Sequence, residues 1–205
     1  MCSSAAHRAT RSDGGTGWTV RRMPALLCRL THLSRATPRP HLHWRPEMAY
    51  VPTPDIIIEH DGPVAIVTLN QPDQRNAFSD AMHDGMQEIW THLAKDRSVR
   101  AIVITGAGKA FSAGGNIPGF IRSYEDPIHR AESMRGAQRL LDAMLECPIP
   151  MISAVNGPAV GLGCSVATSC DVVLIAESTF MADTHVPIGL VAGDGGAVQW
   201  PVLMG

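Results

Sequence analysis

AVNGPAVGLGCSVATSCDVVLIAE, residues 154–177, decides the fold. Apolar residues lead into it at Met151–Val155, the spacing of a strand. Glycines at 157, 161 and 163 then interrupt the chain, and small residues over Leu162–Ser169 read as a short helix. Val172–Ala176 reads as another buried strand. A strand, a glycine loop and a helix in succession are the local grammar of an α/β protein. The loop matters chemically, because glycine lets a backbone turn tightly and approach a ligand. The first amides of a helix lack internal partners and sit at its positive dipole end.

Working outward, a second glycine loop follows a strand in the same way. Val99–Thr105 is β-branched and apolar, and AFSAGGNI (110–117) comes directly after it. Two such loops facing each other would aim main-chain N–H groups at one oxygen and stabilise an enolate or a tetrahedral anion. Taken singly, each loop is also an ordinary tight turn. Neither has the spacing of a dinucleotide or P-loop fingerprint.

The rest of the chain supports alternation of strand and helix. Asp55–Glu59 and Val64–Leu69 flank His60-Asp61-Gly62-Pro63, a hairpin signature. Met82, Met86, Ile89, Trp90 and Leu93 make one apolar stripe on a helix over Ser79–Asp96, with Ser79 as N-cap. Pro127–Glu146 predicts a second helix with Met134, Ala137, Leu141, Met144 and Leu145 inward. No internal repeat is present.

Composition sets bounds. Hydrophobic residues are 45% and charged residues 18% of the 205, as in a globular chain with one sizeable core. Residues 1–47 carry eight arginines and two acids, +6, whereas residues 48–205 carry nine basic against seventeen acidic residues, −8. An acidic core offers nucleic acid no basic surface. No apolar run is long enough to span a membrane. The five cysteines (2, 28, 147, 164, 170) show no CxxC, which suits reduced thiols, with Cys164 and Cys170 packing as small apolar groups. His83, His92 and His129 lack metal-ligand spacing, so no metal is expected.

The Arg-, Ser- and Pro-rich residues 1–47 lack apolar periodicity and are expected to be a disordered extension. They read as an organellar transit peptide or as an early start ahead of a true first residue at Met48. The early start is favoured because Pro24, Pro38, Pro40 and Pro46 interrupt any amphipathic helix. Cytoplasmic location is expected on that reading, and an organellar matrix on the other.

Taken together, AFSAGGNI and residues 154–177 resemble the two signatures of the crotonase (enoyl-CoA hydratase/isomerase) family, and RNAF (75–78) resembles its substrate-binding loop. The resemblance runs from about Asp55 to Gly205. It implies an α/β, ClpP/crotonase-like spiral of ββα units in a single domain, 48–205, lacking the C-terminal helical region of full-length relatives. It implies an acyl-CoA substrate, with coenzyme A entering as part of the thioester and no permanently bound cofactor. Full-length relatives of this kind form trimers or hexamers. By position, the N–H groups of Ala113 and Leu162 would form the oxyanion hole. Gly114, Gly115, Asn116 and Gly161 would line the acyl and pantetheine path, with Ala77 and Phe78 nearby. Asp171 would satisfy backbone donors, and Arg75 either reaches CoA phosphates or is simply solvated.

The acid–base residues depart from the family. Hydratases of that family use two glutamates around one water; here their positions hold Ser165 and His185. A serine hydroxyl is a poor base unless activated. The run from Ala182 to Gly196 resembles the β-diketone hydrolase branch typified by 6-oxocamphor hydrolase, in which a His and an Asp nine residues later pair, matching His185 and Asp194. Such a pair would leave the other ring nitrogen free to deprotonate water. Otherwise His185 is a satisfied buried histidine and Asp194 a helix cap. Asp183 is expected at a solvent-facing strand end. The expected function is a hydratase-like lyase of lipid and fatty acid metabolism. A C–C or thioester hydrolase and a truncated, catalytically silent binding subunit are the alternatives.

Overall fold

The computed structural model describes residues 7–11, 18–22 and 53–205. The chain divides into two units, Met1–Glu47 and Met48–Gly205. In the first unit, β1 (His7–Arg11) and β2 (Trp18–Arg22) pair antiparallel, where no ordered element is expected from composition. The remainder of the expected extension, with its four prolines, lies outside the described residues.

In the second unit, β3 (Ile56–Asp61) and β4 (Val64–Leu69) form the expected hairpin, turning at Gly62-Pro63. β5 (Ala101–Gly106), β6 (Met151–Val155) and β8 (Val172–Ile175) then add in parallel, giving the order β3-β4-β5-β6-β8. The register aligns Ala65, Ile102 and Met151 in one row, and Val67, Ile104 and Ser153 in the next. All six are buried, while their sequence neighbours are partly exposed, so one face of the sheet carries the core. Ser153 is the polar exception, and its hydroxyl donates to Ala167 O at 2.9 Å.

Helix α1 (Asp80–Lys95) starts at Ser79, whose Oγ accepts from Met82 N at 3.0 Å and donates to Asp55 Oδ2 at 2.6 Å. Met82, Met86, Ile89, Trp90 and Leu93 are all buried, as their spacing predicts. Each such side chain stabilises the fold by roughly 1.5–3 kcal/mol. α1 packs on α3 (Pro127–Leu145). Two of the five inward positions expected on α3 are wrong: Met134 and Leu145 are 69% and 67% exposed, whereas Leu140, Leu141 and Met144 are buried. The true buried stripe is 136, 140, 141 and 144, which follows the 3–4 spacing strictly.

Two further differences are local. α2 (Ile117–Glu125) forms where no helix is expected, because Asn116 caps it by accepting from Gly119 N at 2.8 Å and Pro118 sits in its first turn. β8 is apolar but not buried, with Val172 and Ile175 48% and 47% exposed. It is the outermost strand of the sheet, with a partner only on the β6 side.

The short strands β7 (Ala159–Val160) and β9 (Met181–Ala182) pair in parallel and bracket α4 (Leu162–Thr168). α5 (Gly196–Met204) is tied to α4 through Gln199, whose Oε1 accepts from Thr168 Oγ1 and whose Nε2 donates to Ser169 Oγ, each at 2.6 Å.

Candidate active site

Three loops meet beyond the carboxyl ends of β4, β5 and β6. Phe78 bridges to Gly115 and Ser112 to Ala159, so RNAF, AFSAGGNI and the 154–161 loop lie side by side. Phe78 N donates to Gly114 O at 2.7 Å, and Val160 N to Ser112 O at 2.9 Å. Asn76 holds the junction. It is fully buried, donates to Ala107 O and Ala110 O, and accepts from Gln71 N at 2.8 Å. Arg75 and Asn76 both have positive φ, 53° and 55°, so this loop is a left-handed kink fixed by the asparagine side chain.

The convergence is close. Gly114, at φ 84°, has no room for a side chain: a Cβ there would lie 2.6 Å from Val160 O and 3.4 Å from Leu162 N. Gly161, at φ 54° and ψ −124°, swings the chain into α4. Leu162 is then the first residue of that helix, and its N–H has no protein acceptor among the described residues.

The other expected donor is corrected. Ala113 N–H donates to Arg75 O at 2.9 Å, so it is committed to the scaffold and is not available to a ligand. Gly114 N–H donates to Ser112 Oγ at 3.1 Å. Gly115 N–H is the next in line and has no acceptor among the described residues. Gly115 and Leu162 therefore each offer a free amide at this junction. Phe120 of α2 packs its ring on Gly115, 2.6 Å from where a Cβ would stand. Asn116 faces its own helix as the cap of α2.

A cavity of about 260 Å³ adjoins the junction, lined by Arg75, Lys109, Ala110, Ala113, Pro158, Val160 and Phe180. Two cations at its rim give it the sign to receive an anion.

The polar end of the site is a chain of four side chains. Ser165 Oγ donates to Asp194 Oδ1 at 3.0 Å, and Asp194 Oδ2 meets His185 Nε2 at 2.9 Å. His185 Nδ1 meets Asp183 Oδ1 at 2.6 Å, and the same oxygen accepts from His185 N at 3.1 Å. The His185 and Asp194 side chains are 12% and 11% exposed. Three expectations change here. The second ring nitrogen of His185 does not face water, because Asp183 occupies it. Asp183 is not a solvent-facing strand end. Asp194 does not cap α5, whose N-cap Gly195 makes no side-chain cap bond. Asp183-x-His185 is an Asx-type turn, in which a carboxylate reaches the N–H two residues on, and that spacing was the available signal. The pair His185–Asp194 itself is formed as expected.

His83 of α1 also approaches this region. Its ring meets Phe78 edge-on at 5.5 Å, and burial pulls its pKa below the ordinary 6.5 against the opposing pull of Asp84, Asp80 and Asp194. Its local sequence spacing does not mark it, since Asp194, whose charge acts on it, is distant in the chain. Asp171 satisfies a backbone donor as expected, accepting from Met151 N at 2.8 Å. Among the described residues, no group of three or more His, Cys, Asp or Glu side chains is placed to hold a metal ion. No described helix is long and apolar enough to cross a membrane.

Stacked strand–loop–helix units with two loops offering main-chain donors define an α/β protein of crotonase fold. The chain belongs to the enoyl-CoA hydratase/isomerase family, which residues 59–205 match. An enoyl-CoA hydratase/isomerase from Mycobacterium paratuberculosis is similar in structure, with TM-score 0.71 and 45% identity over 75% of this chain and 61% of that one. The mitochondrial enoyl-CoA hydratase domain-containing protein 3 of Xenopus laevis is 31% identical over 67% of this chain and 47% of its own. The human mitochondrial Delta(3,5)-Delta(2,4)-dienoyl-CoA isomerase is 30% identical over 68% and 45%. The chain spans about half the length of the curated relatives it matches.

Proposed function

We propose that this chain binds an acyl-CoA thioester and stabilises its enolate, acting as a hydratase-like lyase on a 2-enoyl thioester. The observation that carries this reading is the pair of unoccupied amides, Gly115 N–H and Leu162 N–H, on loops packed against each other. Two fixed donors aimed at one carbonyl oxygen lower the cost of enolate formation, typically by about 3 kcal/mol per donor. Arg75 and Lys109 line the adjacent cavity and would receive the phosphates of coenzyme A. Coenzyme A enters as part of the substrate, and no permanently bound cofactor is needed for this chemistry.

Proton transfer falls to Ser165, one helical turn from Leu162, and to Asp194, which accepts its hydrogen bond. The hydrolase reading needs a histidine nitrogen free for water, and His185 offers none while Asp183 and Asp194 hold both. The test is incubation with crotonyl-CoA while following conjugated-enoyl absorbance and free thiol together. Loss of absorbance without thiol release is expected. Thiol release would replace the lyase with a thioesterase. Acyl-CoA binding without either change would make the chain a silent binding subunit. Trimeric or hexameric assembly and a role in fatty acid metabolism belong to the same proposal.

A further inference from the structure

His185 is held at both ring nitrogens by carboxylates, 2.6 Å from Asp183 and 2.9 Å from Asp194. Carboxylates only accept hydrogen bonds, so a proton occupies each contact. Two acceptors, one on each side, call for a ring proton on each nitrogen. The group is then a cation between two anions, and it has no lone pair with which to activate water. Gly196 gives Asp183 its place, since a Cβ there would overlap Asp183 Oδ2.

The Ser165–Asp194 pair can still exchange a proton with substrate. Ser165 Oγ donates to Asp194 Oδ1 and keeps a lone pair for a water O–H. Ser165 lies three residues after Leu162 on α4, which puts it about 5 Å along the same helix face from the oxyanion donor. Gly161, beside Leu162, lies against the His185 ring, where a Cβ would be 3.8 Å from Nε2.

Resting on the lyase reading above, we infer that Ser165 relays a proton between water and Asp194, and that Asp183 is a positioning residue that keeps His185 doubly protonated to hold Asp194 in place. Water gives its proton to Ser165 Oγ as the serine proton passes to Asp194 Oδ1. The hydroxide oxygen bonds to the β-carbon, and the C=C electron pair moves to the thioester oxygen at Gly115 and Leu162. The same proton returns from Asp194 through Ser165 to the α-carbon, so the sum is addition of one water. One carboxylate thereby performs both transfers.

The test uses the whole chain labelled with ¹⁵N-histidine. Long-range proton–nitrogen spectra, with His185→Gln for assignment, are expected to show both His185 nitrogens protonated near neutral pH. Asp183→Asn is expected to yield one unprotonated ring nitrogen. An unprotonated nitrogen at His185 in the unaltered chain overturns the inference. With crotonyl-CoA, Ser165→Ala is expected to lower kcat by at least about 100-fold with KM within about threefold, and Asp183→Asn by about tenfold. Turnover of Ser165→Ala within threefold of the unaltered chain overturns the relay. If the unaltered chain does not hydrate crotonyl-CoA, the lyase reading and the relay fall together, and the ring-nitrogen spectra decide the clamp alone.

Discussion

Leu162→Pro compared with Leu162→Ala isolates a single main-chain amide. Leu162 is the first residue of α4, preceded by Gly161 at φ 54° and ψ −124°. Proline is well tolerated at that helical position, since its missing N–H has no partner in the helix anyway. The residue before proline must avoid the α region, and Gly161 is far from it. Both substitutions remove most of a side chain that is only 4% exposed, so each should cost about 2–5 kcal/mol in stability. Only the proline removes the donor. The loss of one oxyanion donor is about 3 kcal/mol, or about 10²-fold in kcat. The assay is hydration of crotonyl-CoA at saturating substrate, with urea melts showing that the two variants are equally folded. Leu162→Pro should turn over about 100-fold more slowly than Leu162→Ala. Equal turnover in two equally stable variants would refute an oxyanion role for the Leu162 amide.

Three other outcomes follow from particular contacts. Asn76→Ala removes three side-chain hydrogen bonds and leaves alanine in the left-handed region, so urea unfolding should show a loss of about 3–5 kcal/mol; a loss under 1 kcal/mol would mean that the kink holds itself. His83 binds its proton less readily in the folded than in the unfolded chain, so its contribution is present above pH 6.5 and is lost as pH falls below that value. His83→Gln should therefore flatten the fall in stability between pH 7.5 and 5.5, measured by denaturant melts at each pH, and an unchanged slope would count against it. Burial pushes the thiols of Cys164 and Cys170 up to about 12, so a thiol reagent at pH 8 should modify them only after denaturant is added, as read by mass spectrometry of the peptides.

What could be read from the sequence divides along physical lines. The α1 stripe, the hairpin and the two glycine loops were legible because periodicity and glycine placement are local signals. The exposure of β8 was not, since an apolar strand reads alike at the centre and at the edge of a sheet, and only neighbours distinguish them. α2 carries no comparable signal, because its face is apolar yet exposed, with Ile117 and Tyr124 70% and 85% accessible, and its strongest start signal, Asn116, falls inside the AFSAGGNI motif. The Ala113 assignment failed for a different reason. Loop amides are identical in sequence terms, and which one stays free depends on a carbonyl thirty-eight positions earlier, Arg75 O.

Main-chain and side-chain chemistry respond differently to substitution in this site. An amide donor depends on loop path and not on residue identity, so leucine at 162 leaves that half of the site intact. Proton carriers depend on identity, and both glutamate positions of the family's hydratases hold other residues here. Yet the total charge need not change. A pair of carboxyl groups sharing one proton carries −1, and Asp183, protonated His185 and Asp194 together also carry −1. An enolate held at Gly115 and Leu162 would therefore meet a field of the same sign in either arrangement, so the proposed relay needs no compensating charge elsewhere. If Asp183 is neutralised and His185 gives up a ring proton, the sum stays at −1 while the hold on Asp194 and its reach toward Ser165 slacken, so position rather than charge should carry the loss of turnover.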